Sequence, residues 1–73
     1  MTIYLERRDA QKNMARYYRL FVTQTLFGEW ALIAEWGRIG SPGRVREDRF
    51  GSFQEAQAAQ EVRAKTKIRR GYE

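Results

Sequence analysis

Trp36-Gly37-Arg38, running on into Ile39-Gly40-Ser41-Pro42-Gly43-Arg44, is the stretch of this chain whose residue types and spacing could do chemistry. A tryptophan ring can stack on a base or a sugar, and an arginine fork can pair with a phosphate. Gly37, Gly40 and Gly43 let the backbone come close to a ligand and expose N–H groups to anions. Arg44 and Arg46 follow the turn and would extend a basic rim. Each piece also has an ordinary structural reading. Trp36 can close the apolar face of a strand, Arg38 can pair with Glu35 or Glu47, and Arg44 and Arg46 can be solvated strand charges. Other chemistry is closed off. The chain has no cysteine and no histidine, so it lacks a thiolate metal site, the commonest metal ligand and the usual general base. With the small size of the chain, this leaves no assembled acid–base pair to propose, which argues against an enzyme, and no metal or cofactor is expected.

The charge balance points to an anionic partner. Fourteen basic residues, eleven of them arginine, stand against nine acidic ones, a net charge of +5. Arginine's planar fork suits phosphate better than lysine's point charge does. A pI near 10.1 is the electrostatic footprint of a nucleic-acid binder. Seventy-three residues make one domain with a thin core, since a chain this short buries only about 60% of its unfolded surface. No run approaches the length of a membrane helix, and residues 1–15 have no signal-peptide core, so a cytoplasmic location is expected.

The elements that must position this stretch follow from hydropathy periodicity. Residues 2–7 read as a first short strand and 15–25 as a second, with Tyr18, Leu20 and Val22 on one face and Tyr17, Arg19, Phe21 and Thr23 on the other. Gly28 and Glu29 suit a turn. Residues 30–36 form a third strand with Trp30, Leu32, Ala34 and Trp36 on one face. Residues 40–43 are a turn, and 44–50 a polar, edge-like fourth strand. Ser52 with Glu55 has the form of a capping box, opening a helix that runs to about Arg70 with Gly71 as its C-cap glycine. Its buried stripe is expected to be Ala56, Ala59 and Val62, with Phe53 and Ile68 at the ends. The basic residues in its last turns suit the helix C-terminus or a phosphate equally. The pattern predicts an α+β fold: an antiparallel sheet of three to four strands with one C-terminal helix packed on one face.

Several of these segments together resemble the WGR domain family. Trp36-Gly37-Arg38 with Ile-Gly-Ser-x-Gly-Arg is similar to its signature tripeptide and the turn that follows. Tyr17-Tyr18-Arg19-Leu20 resembles the aromatic strand before it, Phe50, Ser52 and Glu55-Ala56 the helix start after it, and Lys67 to Tyr72 the closing basic and Gly-Tyr element. The likeness runs from about Ile3 to Tyr72, so residues 1–73 are expected to be a single WGR-like domain. The resemblance implies a compact sheet-and-helix module. In DNA-dependent poly(ADP-ribose) polymerases such modules contact strand breaks. There the motif's tryptophan, matching Trp36, packs on the sugar of the terminal nucleotide. The motif's arginine, matching Arg38, supports the assembly at the break. In bacteria the domain also occurs alone. These 73 residues leave no room for a polymerase, so no ADP-ribosyl transfer is implied.

The expectation is therefore a non-enzymatic module binding nucleic acid, DNA in the first place and its ends or breaks in particular. Trp36, Gly37, Arg38, Arg44 and Arg46 form the expected site. Gly37 holds Trp36 and Arg38 apart, and a positive φ there would exclude a β-branched residue. The alternative is a protein-interaction module that offers the same Arg/Trp patch to an acidic partner.

Overall fold

Alternation of apolar residues over two long strands drives the architecture. The computed structural model describes residues 2–73. They form strands β1 (Thr2–Asp9), β2 (Met14–Gln24), β3 (Trp30–Arg38) and β4 (Arg44–Phe50), then helix α1 (Phe53–Arg69). The strands lie in sequence order in one antiparallel sheet, so β1 and β4 are its edges. The register sets Tyr18 opposite Trp36, Leu20 opposite Ala34 and Val22 opposite Leu32. Leu5 and Ile3 lie opposite Tyr18 and Leu20. One face of the sheet is thus apolar across its middle, and α1 covers it. Leu20, Leu32 and Ala34 have no exposed surface.

The helix meets the sheet along a different row from the expected one. Ala56, Gln60 and Ala64, spaced four apart, are the buried residues of α1. Val62 is 64% exposed and Ile68 54%. Ala59 packs at the margin of the core, and Phe53 presents its edge to Trp30 across 5.2 Å. Two alanines on the contact row let the helix come close to the strands. The Gln60 side chain donates to the Leu20 carbonyl oxygen at 3.1 Å, which keeps a buried amide hydrogen-bonded.

Both helix ends are capped. The Ser52 hydroxyl accepts the Glu55 N–H at 3.2 Å. At the other end Gly71 has φ +98°, its N–H donates to the Ile68 carbonyl, and the Tyr72 N–H donates to the Lys67 carbonyl. This is a Schellman motif. It turns the chain back under the helix, buries Tyr72, and lets Glu73 exchange two backbone hydrogen bonds with Glu6 at 2.9 and 2.8 Å. No helix among the described residues is long and apolar enough to cross a membrane.

Candidate nucleic-acid interface

Strand parity and register gather the basic residues at one end of the sheet. Arg16 shares the helix-side face with Tyr18 and lies opposite Arg38, while Trp36 lies opposite Arg44. Arg16, Arg38, Trp36 and Arg44 thus share one end of the helix-side face. With Gly37 and Tyr72 they line a cleft of about 460 Å³. Trp36 is half-buried and packs at the margin of the core, so it serves both core and cleft. Its ring stacks on Tyr18, centroids 6.0 Å apart and planes within 22°. Tyr72 meets Tyr18 edge-on at 6.2 Å. The Lys67 ammonium lies 4.6 Å from the Tyr18 ring centroid and 5.7 Å from that of Tyr72. Burial, with the Arg70 charge behind it, pushes the Lys67 ammonium below the usual lysine range.

Ion pairing divides the arginines: Arg8, Arg19, Arg46, Arg49 and Arg63 are each held by a carboxylate, while Arg7, Arg69 and Arg70, like the cleft arginines, are in none of the ion pairs among the described residues. Arg16, Arg38 and Arg44 are exposed. Arg38 donates instead to the Asn13 carbonyl oxygen at 3.4 Å. Glu35 and Glu47 lie by strand parity on the opposite, helix-free face of the sheet, where Arg19 takes Glu35 at 3.1 Å and Arg49 takes Glu47 at 2.9 Å. No carboxylate lines the cleft. Arg46 lies on the same sheet face but outside the cleft, bound to Asp48 at 3.1 Å. Asp48 also takes Arg63 from the helix. The Arg63 hydrogen bond, with the Arg46 charge adding to it, outweighs burial and holds the Asp48 carboxyl below the usual carboxylate range. No group of three or more His, Cys, Asp or Glu among the described residues could hold a metal ion.

The sequence pattern of the WGR domain matches residues 1–73. The chain belongs to the WGR domain family. A WGR domain is a binding domain rather than a catalytic one, and membership supports nucleic-acid binding in general. The chain is 39% identical over 70 residues, 96% of its length, to the uncharacterized protein y4dW of Sinorhizobium fredii (strain NBRC 101917 / NGR234), and it spans 34% of that protein's length. No solved structure matches it.

The glycine of the WGR motif has a role other than the expected one. Gly37 is a strand residue, and the positive-φ glycines are Gly28, Gly40 and Gly71. What demands glycine is close approach. A Cβ on Gly37 would lie 2.9 Å from the Gly43 Cα and 3.6 Å from the Tyr17 ring. A Cβ on Gly43 would run into the Tyr17 hydroxyl and the Trp36 carbonyl. Two glycines facing each other across the β3–β4 hairpin thus make room for the Tyr17 ring, which lies over them and holds the hairpin to β2. Gly40, with φ +87°, makes the turn itself. Two cleft residues, Arg16 and Tyr72, escaped the sequence reading. Arg16 was detectable, since it shares the strand parity of Tyr18 in β2. Tyr72 enters only through the helix cap.

Proposed function

We propose that this WGR domain is a non-enzymatic DNA-binding module that prefers duplex ends and breaks. In this reading Trp36 packs on the terminal nucleotide, Arg16, Arg38 and Arg44 hold phosphates, Gly37 sets the hairpin that carries them, and Arg46 adds charge at the rim. The observation that carries the proposal is three unpaired arginines around a half-buried tryptophan in a cleft with no carboxylate. Phosphates are the ligand that unneutralised arginine forks suit best. An aromatic ring recessed in a cleft needs a base or sugar that stands clear of the stack, and a duplex offers one at an end or a break.

Titration of blunt duplex, 5′-phosphorylated nicked duplex, closed circular duplex and single strand, each at two salt concentrations, tests the proposal. Blunt and nicked duplexes should bind more tightly than the closed circle. Equal affinity for all duplex forms would remove the preference for ends. The same patch could take an acidic protein. Competition of the bound duplex with an acidic polypeptide of matched charge separates the two, and full displacement would favour the protein partner.

A further inference from the structure

We propose that the helix-free face of the sheet is a self-association surface. A second copy of this chain packs on it about a two-fold axis, its strands running antiparallel to the first, so that each Leu26–Phe27 turn fills a recess near the WGR hairpin of the other. Four observations lead here.

The first is charge. Residues Glu6, Arg8, Arg19, Glu35, Glu47 and Arg49 share this face by strand parity. Each arginine is paired with a carboxylate on the same face: Arg8 with Glu6 at 3.2 Å, Arg19 with Glu35 at 3.1 Å and Arg49 with Glu47 at 2.9 Å. The face is therefore neutral on a chain of net charge +5. Two such chains repel through their basic ends, and a balanced face is where they can meet. Interleaved charges of both signs are self-complementary under a two-fold axis. A nucleic acid would find no unneutralised cation here.

The second is an exposed apolar knob. Leu26 is 101% and Phe27 83% exposed. The turn that presents them is held by Thr25 N–H to the Glu29 carbonyl at 2.7 Å and Gly28 N–H to the Thr25 carbonyl at 3.1 Å. It is a formed turn with its two largest side chains in water.

The third is a recess at the opposite end of the same face. Tyr4 and Tyr17, stacked at 6.2 Å with planes within 10°, form one wall, Ile39, Gly40 and Ser41 of the WGR hairpin another, and the mutually paired Arg19 and Glu35 complete the lining of a volume of about 380 Å³. The knob and the recess are about 30 Å apart at the usual strand rise. A two-fold axis across the strands near Phe21 and Ile33, which lie opposite each other, brings each knob over the partner's recess. Half-buried Phe21 and Ile33 then meet their counterparts at the centre, as in aligned sheet packing.

The fourth is size. A four-stranded face of these strand lengths is roughly 20 by 30 Å, or about 600 Å² before side-chain relief and the knob are counted, near the about 800 Å² each partner gives a standard interface. The arginine cleft lies on the other side of the sheet, so the dimer presents two clefts outward.

Sedimentation equilibrium over about micromolar to millimolar concentration tests this. The wild-type chain should move from 8.7 kDa to twice that mass. Phe27→Asp should raise the dissociation constant about tenfold or more with an unchanged melting temperature, because Phe27 faces solvent in the single chain. The chain has no cysteine, so Leu26→Cys mixed with Ser41→Cys should give a mixed disulfide under mild oxidation. A wild-type chain that stays at 8.7 kDa throughout overturns the proposal, as does a Phe27→Asp chain that associates like wild type. Disulfides between two Leu26→Cys chains in preference to mixed ones overturn the two-fold arrangement. A Tyr4→Ala chain of unchanged association but weakened binding to single-stranded DNA assigns the face to nucleic acid instead.

Discussion

Trp36 divides its surface between two tasks, and its truncation should show both. Loss of a base- or sugar-stacking contact is worth about 1–3 kcal/mol, so Trp36→Ala should weaken binding to blunt duplex by about tenfold or more and to closed circles much less. The ring also rests on Tyr18, so the same variant should lose about 1–2 kcal/mol of stability, below the range for a fully buried aromatic. Arg16→Ala provides the contrast. It should weaken binding without lowering the melting temperature, because Arg16 is exposed and unpaired. If Trp36→Ala melts normally and binds every DNA form like wild type, Trp36 has neither role. Gly37 offers a second test at this scale. Since the obstacle is the Gly43 backbone rather than φ, a single methyl group is enough. Gly37→Ala should already cost roughly 1–3 kcal/mol in thermal or denaturant melts, as overpacking does, and a Gly37→Ala chain of wild-type stability would refute the close-approach account. The cleft residues Trp36, Arg38 and Arg44 were legible in the sequence because glycine-rich turns and strand parity are local. Tyr72 was not, because its ring is brought to the cleft by packing on Tyr18, and Trp36 stands 36 residues earlier in the chain, beyond the reach of any local pattern.

Between elements, β4 and α1 are joined by Asp48, which binds Arg63 from the helix and Arg46 from its own strand. Its carboxyl ionises more readily in the folded chain than in the unfolded one, so the unfolded chain binds the proton more tightly. The resulting stabilisation is present above the ordinary carboxyl value of 3.8 and is lost as pH falls through the lower folded value. Denaturant melts from pH 6 down to 2 should therefore show wild type losing its advantage over Asp48→Asn, and parallel curves for the two would discount the pairing. The contact row of the helix gives a further prediction. Ala56→Asp places an unpaired carboxylate in the contact layer and should cost several kcal/mol, whereas Val62→Asp on the exposed side should cost little. Equal melting temperatures for these two variants would contradict the observed row. Strand order, hairpins and caps were readable because period-two alternation and capping residues are local signals. The helix row was misread because alanine at 56, 58, 59 and 64 supports more than one stripe. What fixes the choice is the hydrogen bond from Gln60 to the Leu20 carbonyl, which a hydropathy pattern does not register.

Over the whole molecule the sheet separates two electrostatic characters. Its helix-free face carries balanced ion pairs, while Arg16, Arg38 and Arg44 at the end of the other face have no carboxylate partner. Counterion release makes this separation measurable, because each phosphate contact adds about 0.9 to the slope of log affinity against log salt. Three cleft arginines predict a slope of about 3 in magnitude, and duplex binding that fades steeply as salt rises. Arg16→Ala should reduce that slope by about 1. Arg49→Ala should leave it unchanged, because Arg49 is held by Glu47 and Glu29 on the face away from the cleft. Both substitutions remove one positive charge from a chain of net charge +5, so both weaken the long-range field equally. Any difference between their slopes reports where the phosphates sit rather than how much charge the protein carries. Equal reductions would mean that duplex DNA responds only to net charge and that the cleft has no special part in binding it. A slope near zero in wild type would remove the phosphate contacts altogether.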